Sequence, residues 1–241
     1  MASKFSFLSR FEILQNWSSR IIAGINPAII HNIGKYYALK KVHYLSAIEN
    51  IEGDYLEFGV FNGSSFCHSI RCYKKSRHFA DSVKSETRFI GFDSFEGFGD
   101  LKEGDEHSFY TDENFSTNFM DVDKRVKRIS KGVEYKLVQG FFEDSLKNGP
   151  DSYNISKSKI IFIDSDTYSS ASEALLFCSK TIQEGTFIIL DDYYSYKGSR
   201  NKGVARAFFE LIEQNQLDVR KIFNYGMGGA VFVVSDIQKK L

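Results

Sequence analysis

Short apolar runs that stop abruptly at acidic residues set the pattern of this chain. IFIDSDTYSSASEAL (161–175) opens as a run rich in Ile and Phe and ends at Asp164 and Asp166; GTFIILDDYYSY (185–196) repeats the design and ends at Asp191 and Asp192. Between them, residues 169–182 carry apolar positions at helical spacing, so the stretch reads as strand, helix, strand: a βαβ unit of a buried parallel sheet. Upstream, GDYLEFGVFNGSSF (53–66) runs an apolar strand into a glycine-bearing turn and a helix through Tyr73, and RFIGFD (88–93) is a second strand ending in an acid. A helix over 122–130 leads to strand EYKLVQ (134–139) and the turn GFFEDSL (140–146). After a helix over 204–214, VRKIFNY and GGAVFVV form a hairpin across a short glycine turn. The expected fold is α/β: a doubly wound, mostly parallel seven-stranded sheet with a C-terminal antiparallel hairpin and an N-terminal helical extension.

The first fifty residues differ from the rest. Lys4, Arg10, Arg20, Lys35, Lys40 and Lys41 are balanced only by Glu12 and Glu49, and Phe7, Phe11, Leu14 and Trp17 recur at helical spacing. Such a segment packs on its own domain or on a second copy of the chain more often than on a membrane. The simplest division is therefore an extension over 1–50 and one domain over 51–241, with self-association through the extension. Residues 94–119 form a long stretch without periodicity, carrying Glu96, Asp100, Glu103, Asp105, Glu106, Asp112 and Glu113 against Lys102, interleaved with Phe95, Phe98, Phe109, Tyr110, Phe115 and Phe119. A loop of that length after a strand end is expected to be a mobile cover that closes over bound ligands.

Composition removes several function classes. The formal net charge of zero supplies no basic field for nucleic acid, and the cluster Lys124, Arg125, Lys127, Arg128 and Lys131 follows Asp121 and Asp123 as a solvated helix face does. Cys67, Cys72 and Cys178 form neither a disulfide framework nor a CxxC metal site, which fits a reducing, cytoplasmic setting. No apolar run reaches the length of a membrane span.

In a parallel sheet the carboxyl ends of neighbouring strands share one edge, where ligands bind. Four carboxylates gathered there repel one another unless a cation, a proton or a basic group sits among them, and oxygen donors suit a hard ion such as Mg²⁺ better than zinc. Helix caps and solvated turns are the alternative reading of the same aspartates. The turn Glu57-x-Gly59-x-x-x-Gly63 lets a ligand approach the backbone, and Asp93 at the next strand end can accept hydrogen bonds from ribose hydroxyls. The GxGxxG dinucleotide fingerprint is absent, so a nucleoside without a pyrophosphate fits better. His107 reads as a solvated loop histidine, with a base or a substrate contact as the alternative, and Tyr193, Tyr194 and Tyr196 either stack on a substrate face or close the pocket as packing.

Taken together, LEFGVFNGSS, FDSFEGF, GFFEDSL, IDSDTYSSASEAL and LDDY followed by GVARAF resemble the macrocin O-methyltransferase family, over roughly 53–209. The resemblance implies a class I, Rossmann-like S-adenosylmethionine-dependent fold that methylates hydroxyls of sugars or other polyhydroxylated small molecules with the help of Mg²⁺. It implies Asp164, Asp191 and Asp192 as metal ligands and Asp166 as general base. Glu57, Gly59, Gly63, Ser64, Asp93, Ser94 and Asp164 would line the cofactor, with Gly140 and Phe142 of the GFFED turn near its adenine. FDSFEGF continues here as Gly99-Asp100, where many members have proline. A metal-assisted hydrolase, a nicotinamide oxidoreductase and a nonenzymatic binding module on a similar sheet remain the competing classes, because fold alone does not choose among them.

Overall fold

The computed structural model describes residues 11–77, 86–107, 110 and 115–237. Lys4, Phe7 and Arg10 of the extension and Phe109, Asp112 and Glu113 of the long loop lie outside the described residues. The elements run α1 (Glu12–Gly24), α2 (Pro27–Ile48), β1 (Asp54–Phe58), α3 (Ser64–Ser76), β2 (Phe89–Asp93), α4 (Phe119–Ile129), β3 (Tyr135–Gln139) and a single helical turn α5 (Phe142–Ser145). They continue as β4 (Ser158–Ile163), α6 (Tyr168–Cys178), β5 (Phe187–Leu190), α7 (Gly203–Asn215), β6 (Leu217–Tyr225) and β7 (Gly229–Ile237).

The seven strands form one sheet in the order β3-β2-β1-β4-β5-β7-β6. Pairs among β1 to β5 are parallel, whereas β7 runs antiparallel to both β5 and β6. Strand order reverses between β1 and β4, and there the crevice opens at the carboxyl ends. Strands β1, β4 and β5 are buried at every position, which is why they read as continuous apolar runs rather than alternating ones. One face packs Leu56, Phe58, Ile161 and Leu190 against Leu175 of α6 and Phe208 of α7. The other packs Tyr55, Phe89 and Phe162 against Leu39 and Val42 of α2, Ile70 of α3 and Val126 of α4.

Two helix boundaries move from their expected places. Helix α4 starts at Phe119, where the Asn118 side chain accepts from the Asp121 N–H (3.2 Å). Helix α6 ends at Cys178 rather than near Ile182, because the Thr181 N–H turns back onto the Cys178 carbonyl (2.8 Å).

Helix α2 positions part of the ligand edge. Asn26 caps it by accepting from the Ala28 N–H (2.9 Å), with Pro27 in the first turn. Its C-terminal half buries Ala38, Leu39 and Val42, while its N-terminal half crosses the β6–β7 turn. A Cβ on Gly34 would lie 2.5 Å from the Gly226 nitrogen, so glycine is what allows that crossing. Among the described residues, α1 buries none of its own.

Candidate active site

Strand β1 ends in a turn whose backbone is held by Asp93. One Asp93 oxygen accepts from the Val60 and Phe61 N–H groups (2.7 Å each), and the other accepts from the Phe95 N–H (2.6 Å). Burial pushes the Asp93 carboxyl up, against the pull of those three donors. Gly59 adopts φ +93, and a Cβ there would overlap the Asp164 carbonyl, so β1 and β4 approach as closely as backbone permits. Glu57 is completely buried behind the turn. It accepts hydrogen bonds from the Tyr55 hydroxyl and from Ser65 Oγ (2.6 Å), and burial pushes its carboxyl up to about 7 despite both bonds.

A cavity of about 790 Å³ extends from this turn across the ends of β4 and β5, within the size range of small-molecule sites. Of the residues expected around a cofactor, Gly59, Ser64, Asp93, Ser94, Phe142 and Asp164 line it. Glu57, Gly63 and Gly140 do not. Gly63 instead starts α3 at φ +75, and the Gly140 N–H bonds to the Asp93 carbonyl (2.9 Å).

At the other end of the cavity Asp164, Asp191 and Asp192 converge, with ligand oxygens all within 4.8 Å of one another. Repulsion at this edge is relieved by a cation from α2. Lys35 Nζ lies 2.8 Å from Asp164 Oδ2 and 2.7 Å from Asp191 Oδ2. His31 Nε2 also reaches Asp191 Oδ2 (2.9 Å), and the Tyr225 hydroxyl donates to Asp191 Oδ1 (2.6 Å). Burial pushes Asp191 up, but the Lys35 charge and the His31 contact outweigh it and hold its carboxyl well below the usual range. Burial and the Asp191 charge push Asp164 well above that range, even with Lys35 adjacent. Asp166 is pushed up by burial and then by Asp192, and sits in the left-handed region at φ +62. This conformation, unusual for a residue with a Cβ, places Asp166 on the cavity wall instead of in the helix that follows.

The long loop, where described, is fastened to this site. Tyr110 donates to Asp192 Oδ1 (3.1 Å) and bonds with Ser195 Oγ (2.9 Å). Buried Asp105 accepts from the Tyr168 and Ser169 N–H groups (3.0 and 3.2 Å) at the start of α6, and His107 stacks on Tyr110 with ring centroids 4.3 Å apart. Phe95, Asp105 and Tyr110 are all buried. Tyr193 packs into the core beside Phe232, Tyr194 bonds to Asn224 (3.3 Å), and Tyr196 donates to the Asp105 carbonyl (2.9 Å). None of the three lines the cavity.

Sequence reading missed His31 and Tyr225 and counted Lys35 only among the charges of the extension. A signal was available. The acidic edge demanded a basic group, and His31 and Lys35 stand four residues apart, on one face of a helix.

The sheet order, the β1–β4 crevice and the acidic ends of β4 and β5 define a class I methyltransferase fold. Solved structures share it: the O-methyltransferase NovP at 19% identity and TM-score 0.66, and the calicheamicin methyltransferase CalS11 at 15% and 0.65, each match covering 83% of this chain and 79% of the other. An O-methyltransferase from Bacillus cereus, solved in complex with SAH, matches at 15% identity and TM-score 0.53 over 83% of this chain and 81% of its own. The chain belongs to the macrocin-O-methyltransferase (TylF) family, whose model matches residues 34–222. The mycinamicin III 3''-O-methyltransferase of Micromonospora griseorubida is 24% identical over 154 residues, 60% of this chain. The match spans 57% of that relative's length.

Proposed function

We propose that this protein is an S-adenosylmethionine-dependent, Mg²⁺-dependent O-methyltransferase acting on a hydroxyl of a sugar or another polyhydroxylated small molecule. One observation carries the reading: a single cavity joins the Asp93-braced turn to the Asp164, Asp191 and Asp192 cluster, with Asp166 on its wall. Family membership, the mycinamicin III 3''-O-methyltransferase relative and a solved neighbour described as a TDP-rhamnose 3'-O-methyltransferase support it. The catalytic domain is assigned to 51–241, with 1–50 as a helical extension that lends His31 and Lys35 to the site and pairs with a second copy. Three free, buried cysteines accord with a cytoplasmic setting, and among the described residues no helix is long and apolar enough to cross a membrane.

The turn after β1 and the Asp93 carboxylate would receive the nucleoside, Asp93 offering its one remaining acceptor position of about four to a ribose hydroxyl, with Phe142 at the adenine end. Glu57 acts from behind, tying Tyr55 and Ser65 so that the turn keeps its shape. The donor set fits a hard divalent ion. Three carboxylates converge, and a protein ammonium already stands between two of them as a stand-in cation. Asp164, Asp191 and Asp192 would hold the ion, which would help to orient the acceptor and lower the pKa of its hydroxyl. Asp166, on the cavity wall beside the cluster, would accept the hydroxyl proton as the methyl group leaves sulfur. Phe98 and Tyr110, which line the cavity, would help to keep water from the reacting centre.

The test is methyl transfer from S-adenosylmethionine across a panel of nucleotide sugars, glycosides and diols. Turnover should stop on chelation, and Asp166→Asn should lower kcat by about 10²- to 10⁴-fold while S-adenosylhomocysteine still raises the melting temperature. Stabilisation by NAD in place of S-adenosylhomocysteine would overturn the cofactor, and turnover that survives chelation would overturn the metal.

A further inference from the structure

We propose that Lys35 holds the place of the divalent ion in the metal-free protein and is displaced from Asp164 and Asp191 when the ion binds. The inference rests on the metal reading above and adds a switch within the same site.

Geometry makes joint occupancy unfavourable. Lys35 Nζ is 2.8 Å from Asp164 Oδ2 and 2.7 Å from Asp191 Oδ2. A magnesium-like ion lies about 2.1 Å from the oxygens that bind it, so an ion on either oxygen would be within about 5 Å of the ammonium. Two cations that close, in a site whose carboxylates are buried, repel strongly. Oxygen capacity points the same way. Asp191 already accepts from Tyr225 on Oδ1 and from both His31 and Lys35 on Oδ2, which fills three of a carboxylate's roughly four acceptor positions. Of these donors, His31 and Tyr225 are held by packing: Gly226 lies against the His31 ring, and the Met227 N–H bonds to His31 Nδ1 (3.2 Å). Lys35 alone is a point charge on a long, flexible stem that can swing away.

The arrangement has two consequences. Without an ion, Lys35 neutralises a carboxylate cluster that would otherwise pull in protons or splay apart. With an ion, the ammonium is expelled beside the α2 residues Ala28, His31 and Asn32 that line the cavity, so ion loading changes the charge facing an incoming acceptor.

Ion affinity and lysine exposure test this directly, without turnover. Lys35→Met and Lys35→Gln should bind Mn²⁺, measured by titration calorimetry at mildly alkaline pH, at least about tenfold more tightly than the wild type, because each removes a like charge next to the ion. In the wild type, acylation of Lys35 read by peptide mass spectrometry should be slow in EDTA, where the side chain is 12% exposed, and faster with Mg²⁺. The labelling arm needs no variant, so it stands even if the substitutions unfold the chain. Mn²⁺ affinity unchanged or weakened in both variants, or labelling indifferent to Mg²⁺, would overturn displacement and leave the metal reading intact. No ion binding to any form would overturn both.

Discussion

Glu57 shows how one buried side chain can make stability depend on pH. Burial raises its carboxyl to about 7, against an ordinary value of 4.5. The folded chain therefore holds this proton where the unfolded chain has already released it. Stability from this group is complete below the unfolded value, and it is lost as pH rises from about 4.5 through about 7. The loss is on the order of 3 kcal/mol for a shift of this size in a fully buried group. Urea denaturation across that range should show the wild type losing stability relative to Glu57→Gln, with the substituted protein the more stable on the alkaline side. Parallel curves for the two proteins would place Glu57 in contact with water and refute the assignment. The residue was visible in the sequence as part of E-x-G-x-x-x-G, but its position was not. Nothing in the spacing reveals that Tyr55 and Ser65 take up both of its oxygens from behind the turn.

At the scale of elements, legibility followed periodicity. The parallel strands could be read because burial on both faces makes them unbroken apolar runs, and the acids closing β2, β4 and β5 could be read because those runs stop there. The spacing of His31 and Lys35 on α2 was readable but its place was not, since a helix crossing the β6–β7 turn is fixed by the tertiary contact of Gly34 with Gly226, which leaves no local pattern. The anchoring of the long loop leaves no local pattern either: Asp105 is one acid among many in sequence, yet it is buried and reaches α6, 63 residues along the chain. Two caps share the start of that helix. Thr167 accepts from the Ser170 N–H (3.3 Å), and Asp105 takes the Tyr168 and Ser169 N–H groups. Replacing Asp105 with alanine strands both donors and should cost about 1–3 kcal/mol, seen as a lower melting temperature. Because Asp166 lies two residues before α6 and Tyr110 follows Asp105 in the loop, kcat should fall as well. Thr167→Ala serves as the control: it loses a single cap bond on α6 itself and leaves the loop attached. Equal loss of kcat in the two variants would show that Asp105 acts on the helix alone.

At the scale of the whole molecule, the unexplained surface is α1. Ile13 is 86% exposed, Trp17 65% and Ile22 61%, and Ile29, Ile33 and Tyr37 of α2 extend the apolar area. A folded chain seldom leaves so much apolar side chain uncovered unless something docks on it. Since α1 buries none of its residues on its own domain, charge decides between the two remaining coverings, a second copy and a membrane. Helix α1 carries Arg20 against Glu12, so it lacks the cationic face that holds an amphipathic helix to anionic lipid. A second copy needs no such charge, because an apolar helix face is complementary to itself across a two-fold axis. The protein should therefore run as a dimer in light scattering after size exclusion, at twice the chain mass. Trp17→Asp combined with Ile21→Asp should yield a monomer, because each places a charge in the middle of the shared face. Both positions are exposed within the single chain, so the variant should keep its fold by circular dichroism. A monomeric wild type would refute the dimer. Co-flotation of the wild type with phosphatidylserine vesicles, lost in the double variant, would assign the same face to a membrane.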